Sequence, residues 1–267
     1  MISSGIKGLD NVITGLQLGD NVVWQIDSVQ DYLYFVEPFV NRSLKDKKQL
    51  VYIRFASHRP LVKKQKGVTI YKMDASAGFE SFSVGLHEII KKEGKGVFYV
   101  FDCLSDLLYA WSNDLMIGNF FKITCPFLFE LDTIAYFSLL KNNHSFKTVA
   151  RIRDTTQILI DVYRQRDSYY IHPLKVWNRY SPTMFLPHVE KKGVFVPIAN
   201  SSDTARIFSG IFRKGAKSPE RNLDHWDRLF IKAEAVAAKK SAPVSIKRRM
   251  VDDLCRIVIA KDKKMLE

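Results

Sequence analysis

The first half of the chain alternates short apolar runs with longer amphipathic stretches. Three runs have the length and composition of buried strands, over residues 21–26, 49–55 and 96–102, and residues 68–73 predict a further strand. Residues 31–46 and 79–93 place apolar side chains at helical spacing, although Pro38 lies inside the first of these stretches. This alternation predicts an α/β fold with a doubly wound, mostly parallel sheet flanked by helices.

The second half predicts further elements and a change of character near residue 212. A helical segment over 106–124 precedes a strand over 134–139, and the runs 156–163 and 169–180 are predicted to form a hairpin or adjacent antiparallel edge strands. Beyond residue 212 a basic linker leads into two amphipathic helices. We therefore expect a domain over 1–212 and a basic linker and helical extension over 213–267.

Composition indicates a globular protein. Of the 267 residues 46% are hydrophobic and 12% aromatic, which is too apolar for a disordered chain. The three cysteines are far apart, which favours a reducing compartment and indicates neither a disulfide framework nor a zinc site. No signal peptide is visible, and Glu130 and Asp132 interrupt the longest apolar stretch, so we expect a cytoplasmic protein without a membrane span.

The net charge of +13 is unevenly distributed. Residues 213–267 hold 15 Lys/Arg and 8 Asp/Glu, whereas residues 1–212 hold 26 and 20. A basic tail is typical of a docking surface, and the chain has no aromatic RNA-binding motif and no zinc-finger spacing. We therefore expect the C-terminal helices to contact an adjacent domain or protein partner, and we do not expect a nucleic-acid partner.

The most informative segment is the turn after the first predicted strand, which has the sequence Asp27-Ser28-Val29-Gln30-Asp31. It contains no glycine and no lysine, whereas a phosphate-binding loop needs both. Ser28 and Asp31 instead fit a capping box, in which a helix satisfies its own first N–H groups. The carboxylates of Asp27 and Asp31 would repel a phosphate placed there.

The residues around this turn resemble the RecA/KaiC-like ATPases. Ser4-Gly5-Ile6-Lys7-Gly8-Leu9-Asp10 and Gly19-Asp20-Asn21-Val22-Val23 are similar to that family's approach to its phosphate loop, G-x-x-x-x-G-K-[ST]. The resemblance implies that Asp102 matches the acid that holds Mg²⁺ through water, and that Arg179 matches the arginine of a late K-x-R pair.

Three features of that family are missing here. The phosphate loop is replaced, Ala56-Ser57-His58 stands where the catalytic glutamate would lie, and Trp177 replaces the lysine of the late pair. The resemblance therefore implies an inactive ATPase with a vestigial nucleotide site formed by Asp27, Ser28, Asp31, Asp102 and Arg179. No catalytic residue, cofactor or metal is expected, with binding of ATP and Mg²⁺ kept as the alternative.

A narrower resemblance concerns the stretch from Gly19 to Phe39. It is similar to the N-terminal region of large bacterial phosphoenolpyruvate synthase-like proteins, in which a degenerate RecA-like domain precedes an ATP-grasp domain. The resemblance implies that the helix over 245–267 leads towards such a domain, and that phosphotransferase chemistry belongs there.

Few other residues suggest chemistry. His58 and Arg59 are candidate anion contacts at the end of the second strand, but we favour a polar, solvated loop. Asp102, Ser105 and Asp106 could bind a cation or cap the following helix, and we favour the cap. Three hypotheses stay open: a silent regulatory or docking domain, monomeric or homo-oligomeric; a phosphotransferase or an unconventional ATPase; and a nucleic-acid module.

Overall fold

The computed structural model describes residues 2–165, 168–200 and 202. The predicted linker and helices of residues 213–267 lie outside the described residues. The division of the chain near residue 212 and the docking role of the C-terminal helices therefore stay predictions.

The described residues form nine strands and six α-helices. The strands are β1 (Asn21–Ile26), β2 (Leu50–Arg54), β3 (Val68–Lys72), β4 (Phe98–Cys103), β5 (Ile134–Leu140), β6 (Ile158–Gln165), β7 (Ser168–Val176), β8 (His188–Lys191) and β9 (Val194–Pro197). The helices are α1 (Lys7–Ile13), α2 (Val29–Lys45), α3 (Phe79–Glu93), α4 (Leu107–Trp111), α5 (Asp114–Glu130) and α6 (Phe146–Thr155), with single 3₁₀ turns at Ala75–Ala77 and Leu104–Asp106.

All nine strands belong to one sheet, in the order β3-β2-β4-β5-β1-β6-β7-β8-β9. The strands from β3 to β6 in this order are parallel, and β7, β8 and β9 add antiparallel at one side. The predicted mostly parallel sheet with antiparallel edge strands is confirmed. The carboxyl ends of β1, β2, β4, β5 and β6 meet at one edge of the sheet, which we call the carboxyl edge, and the opposite edge is the amino edge.

Aromatic side chains fill the core on both faces of the sheet. On one face α2 packs against β1 and β5, where Trp24 stacks on Phe35 and Phe39 stacks on Tyr136 with centroids 4.1 and 4.0 Å apart. On the other face, covered by α3, α4, α5 and α6, Phe101 stacks on Phe137 at 4.4 Å. Because the central strands are covered on both faces, their sequences are continuously apolar rather than alternating.

Several elements differ from the sequence expectations. The helix expected over 106–124 is two helices, which are separated where Ser112 adopts a left-handed φ of 52°. The second of them, α5, continues through Pro126 to Glu130. The short elements α1, α6, β8 and β9 were not predicted.

The N-terminal glycine motif has a packing role in this fold. Gly5 has φ +85°, and a Cβ atom there would lie 2.2 Å from the Pro38 carbonyl oxygen. A Cβ atom on Gly8 would lie 2.7 Å from the Gly193 carbonyl oxygen. Asp10 adds a brace, because its carboxylate accepts a hydrogen bond from the Ser4 N–H at 2.8 Å. This motif therefore fixes the N-terminus against α2 and the β8–β9 turn without reference to any nucleotide.

Candidate functional site

The turn after β1 lies at the carboxyl edge and passes directly into α2. The Ser28 N–H and hydroxyl both donate to Asp31 Oδ2, at 3.1 and 2.8 Å, and the Asp31 N–H donates to the Ser28 carbonyl oxygen at 3.0 Å. Asp31 is only 4% exposed. The predicted capping box is confirmed, so the Ser28 N–H that a phosphate could have used is bonded within the helix itself.

A lysine from another strand lies beside this turn. Lys141 directly follows β5, and its backbone N–H donates to the Ile26 carbonyl oxygen at 2.9 Å, which brings its side chain next to Asp27. Its Nζ atom lies 3.6 Å from Asp27 Oδ1 and 3.4 Å from the centroid of the Tyr163 ring, and it donates to the Val162 carbonyl oxygen. Burial lowers the pKa of Lys141, and the nearby carboxylate of Asp27 opposes that shift.

Acidic groups outnumber this single cation. Asp161, on β6, accepts hydrogen bonds from Gln25 Nε2 at 2.6 Å and from the Tyr163 hydroxyl at 2.8 Å, and burial raises its pKa. Asp31 Oδ1 is buried and has no hydrogen-bond partner among the described residues. Three carboxyl groups, those of Asp27, Asp31 and Asp161, thus act on Lys141, so the local charge disfavours an anionic ligand.

Asp102 lies at the end of β4 and is completely buried. Its Oδ2 atom accepts from Arg54 Nη1 at 3.0 Å and from the N–H groups of Phe55 and Ala56 at 3.0 and 2.8 Å. The Tyr52 hydroxyl donates to its Oδ1 atom. These four donors engage both carboxylate oxygens, and His58 Nε2 lies 3.7 Å from Oδ1. The contacts tie the end of β4 to the segment after β2.

His58 and Arg59 follow β2 at the same edge. The Nδ1 atom of His58 lies 2.8 Å from the Arg59 carbonyl oxygen, and its Nε2 atom accepts the Cys103 N–H at 3.3 Å. Both ring nitrogens are therefore occupied within the fold. Arg59 is exposed and forms no ion pair within the described part of the chain.

A serine, a histidine and an aspartate form a chain of side-chain contacts near the loop after β5. Ser105 Oγ is 2.7 Å from His144 Nε2, and His144 Nδ1 is 2.7 Å from Asp114 Oδ1. This order of contacts is that of a nucleophilic triad, but Ser105 is fully buried and its oxygen already accepts the Leu140 N–H at 2.8 Å. The arrangement joins the ends of β4 and β5 to the start of α5 and leaves no access for a substrate.

Arg179 lies away from these residues, at the amino edge. Its Nη1 and Nη2 atoms form a bidentate pair with Asp20 at 2.9 and 2.8 Å, and both side chains are less than 5% exposed. Nη1 also donates to the Gly15 carbonyl oxygen at 2.8 Å. Asp20 precedes β1 and Asp27 follows it, so the structure does not bring Arg179 together with the other residues of the expected vestigial site.

Within residues 2–165, 168–200 and 202, no group of three or more His, Cys, Asp or Glu side chains is placed to hold a metal ion. No helix in the same part of the chain is long and apolar enough to cross a membrane.

The comparisons with known proteins show the fold alone. No protein-family model matches the chain, and no curated protein matches it. Among solved structures, the chain is similar to one whose title describes an ATPase domain, with a TM-score of 0.53 and 12% identity over 74% of this chain and 91% of that one. The chain has a RecA-like ATPase fold, as the sequence resemblance predicted.

The residues that surround the turn after β1 were not predicted from the sequence as site residues. In the sequence, Lys141 is an isolated lysine after an apolar strand. Polar residues within strands, such as Gln25, Asp161 and Tyr163, are ordinarily interpreted as part of the strand pattern and not as site residues. A weak signal existed, because a lysine or an acid at the carboxyl end of a parallel strand lies where α/β sheets bind ligands.

Proposed function

We propose that this chain is a catalytically silent RecA-like domain that serves as a regulatory or docking scaffold. The observation that carries the proposal is the closed turn after β1, where Ser28 and Asp31 cap α2 and Lys141 is held by Asp27 and the Val162 carbonyl oxygen. A nucleotide bound there would have to displace these internal bonds and approach three carboxyl groups.

The state of Asp102 supports the same proposal. A carboxylate that holds Mg²⁺ through water needs lone pairs that face solvent, whereas Asp102 is fully buried and accepts four internal hydrogen bonds. Asp102 acts in this proposal as a structural acceptor that holds the carboxyl edge together.

The proposal extends to the setting of the domain. The resemblance of residues 19–39 to phosphoenolpyruvate synthase-like proteins suggests that the scaffold works beside a phosphotransferase domain, which would carry out the chemistry. The proposed contact runs through residues 213–267, and the proposed compartment is the cytoplasm. A binding partner recovered with the full chain but not with residues 1–212 would support this contact, provided that residues 1–212 alone give a cooperative unfolding transition.

Thermal unfolding with nucleotide tests the proposal. A ligand that binds only the folded state raises stability by RT ln(1 + [L]/Kd), so ~5 mM ATP would add about 2.7 kcal/mol if Kd were about 50 µM. We expect no change in Tm with ATP–Mg²⁺ or ADP–Mg²⁺, relative to equal concentrations of sodium phosphate and MgCl₂.

A matched pair of variants distinguishes a cryptic site from a nonspecific effect. If nucleotide does raise Tm and the rise is lost in Lys141→Met but kept in Lys122→Met, the turn after β1 binds nucleotide and the proposal is wrong. Lys122 is an exposed lysine on α5, so its substitution removes the same charge away from the turn.

A further inference from the structure

The positive charge of the described domain is concentrated in one short segment. Residues 42–72 hold ten Lys/Arg and a single Asp/Glu, a net charge of +9. The rest of residues 1–212 holds 16 Lys/Arg and 19 Asp/Glu, a net charge of −3. The segment spans the end of α2, β2, the connection to β3, and β3 itself. The excess positive charge of the domain is therefore concentrated on β2, β3 and the segments next to them.

Part of this charge lines an open cavity at the amino edge. The cavity has a volume of about 650 Å³ and lies where β2 and β3 begin, with the lining residues Leu44, Lys47, Lys48, Gln49, Lys66, Gly67, Val68 and Thr69. Because β2 and β3 pair in parallel with Leu50 opposite Val68, the loops that precede them meet at this point. We call this feature the lysine groove.

The charges of the lysine groove are not neutralised within the fold. Lys47, Lys48 and Lys66 are exposed, and none of them forms an ion pair with an acid among the described residues. Asp46, the only acid of the segment, is 2.7 Å from Arg42. Glu93, at the end of α3, accepts from the Tyr71 hydroxyl at 2.5 Å and from Gln49. Lys48 Nζ lies 5.8 Å from the centroid of the Phe98 ring, a contact that leaves its charge in place. Three ammonium groups without a paired acid among the described residues thus face the groove.

The composition of the groove favours phosphates over a protein partner. Protein interfaces are enriched in arginine and aromatic residues and depleted of lysine, whereas the residues that line this groove supply lysines and a threonine hydroxyl. Carboxylates are matched best by the guanidinium fork, whereas ammonium groups act as point charges suited to a row of phosphates. Exposed lysines hold a small anion weakly, but several of them bind a polyanion through release of its counterions.

From these observations we infer that the lysine groove binds the phosphate backbone of a nucleic acid without reading its sequence. The sequence, with its basic tail and without a known nucleic-acid motif, predicts no such partner, but contacts to phosphates alone require no such motif. The groove lies at the amino edge, at the opposite end of the sheet from the turn after β1, so this binding is independent of the proposed loss of the nucleotide site.

Fluorescence anisotropy with a labelled 20-nucleotide oligo-dT strand tests the inference on the full chain. At ~50 mM NaCl we expect a Kd of about 1–100 µM that weakens steeply with salt. The triple variant Lys47→Gln/Lys48→Gln/Lys66→Gln removes three phosphate contacts. It should weaken binding at least tenfold and lower the slope of log K against log[NaCl] by about 2, since each contact to a single strand contributes about 0.7.

The control removes the same charge elsewhere. Lys122→Gln/Lys147→Gln/Lys191→Gln changes three exposed lysines on α5, α6 and β8. It should bind within about twofold of the parent chain. Circular dichroism must show that both triple variants unfold with the parent's cooperativity.

Three results would overturn the inference. One is no binding by the parent chain at 100 µM and ~50 mM NaCl. Another is equal weakening in the two triple variants, which would assign binding to overall charge or to residues 213–267. The third is binding of a labelled 20-residue polyglutamate peptide as tight as that of the oligonucleotide, which would identify the groove as a surface for an acidic protein.

Discussion

Lys141 pairs with Asp27 beside the turn after β1, with Nζ 3.6 Å from Oδ1, and the two residues directly follow the neighbouring strands β5 and β1. The lysine beside this turn thus comes from the loop after β5, and its charge is paired with an aspartate of the same domain. We expect Lys141→Met to destabilise the domain by about 1–3 kcal/mol, because the buried Asp31 and Asp161 both lose the ammonium group that faces them. Urea unfolding measures this change, with Lys122→Met as a control that stays within about 0.5 kcal/mol.

A double-mutant cycle at Asp27 and Lys141 measures the coupling free energy of this ion pair. Asp27 is half exposed, so its coupling to Lys141 should be no more than about 1 kcal/mol. If Lys141→Met proves as stable as the parent chain, the side chain is not bound in the turn and the description of a closed site is wrong.

Arg179 and Asp20 form the most buried ion pair of the described residues, and it should dominate stability at the amino edge. Arg179→Met leaves the Asp20 carboxylate buried without its cation and should cost about 3–5 kcal/mol in unfolding free energy. Arg179→Lys should restore little of this, because an ammonium cannot reproduce the two parallel hydrogen bonds.

The exposed pair of Arg42 and Asp46 provides the comparison. Its side chains are 44% and 35% exposed, so Arg42→Gln should change the unfolding free energy by less than about 0.5 kcal/mol. Equal effects of Arg42→Gln and Arg179→Met would show that Arg179 is not held as described.

Gly8 gives a test of the N-terminal motif. A Cβ atom there would meet the backbone of Gly193, Val194 and Phe195 at 2.7–2.9 Å, so Gly8→Ala should destabilise by about 1–3 kcal/mol. Gly85, inside α3, has only the Met73 Cε atom within reach, at 3.8 Å. Gly85→Ala should therefore stabilise by about 0.5–1 kcal/mol through helix propensity. Chemical denaturation of the two variants side by side decides the point, and a stabilising Gly8→Ala would refute the packing role of the motif.

His144 predicts a dependence of stability on pH. Burial lowers the pKa of His144 below its unfolded value of about 6.5, despite the opposing carboxylate of Asp114. Between the folded and the unfolded pKa the unfolded chain binds a proton that the folded chain does not. This stability is present above pH 6.5 and is lost as the pH falls through the folded pKa.

A variant isolates this contribution, which matters because other groups titrate as well. His87 and His188 shift in the same direction, whereas the raised pKa values of Asp106 and Asp161 act in the opposite sense. His144→Gln should reduce the slope of unfolding free energy against pH below 6.5 by at most one proton, about 1.4 kcal/mol per pH unit. An unchanged slope, measured by urea unfolding at pH 5.0–7.5, would show that folding does not shift the pKa of His144 and would contradict the description of its site.

The sequence predicted the parallel part of the fold well because its central strands are buried on both faces. The bounds of β1 and α3 match the expected ranges 21–26 and 79–93, since a continuous apolar run and a stretch ended by Gly94 leave few alternatives. The elements β8 and β9 have four residues each and are only partly buried, so their sequences carry little pattern. Helix α6 is mostly polar apart from its contact with α5, and a polar run is ambiguous from sequence alone.

In the candidate site, too, local features were predictable from the sequence and contacts between distant segments were not. The capping box was predictable because Ser28 and Asp31 are neighbours in the chain and the signal is local. The partners of Asp102 and Lys141 were not, because they come from different strands and meet only when the sheet is assembled. The pairing of Arg179 with Asp20 depends on the return of the chain to the amino edge after β7, which no local pattern specifies.

Isothermal titration calorimetry of the full chain with ATP–Mg²⁺ and with ADP–Mg²⁺, up to millimolar nucleotide, tests the central claim most directly. The closed turn after β1 predicts no saturable heat beyond that of dilution, in the parent chain and in Lys141→Met alike. Saturable micromolar binding by the parent chain that Lys141→Met abolishes and Lys122→Met retains would contradict the claim. It would show that the carboxyl edge binds nucleotide.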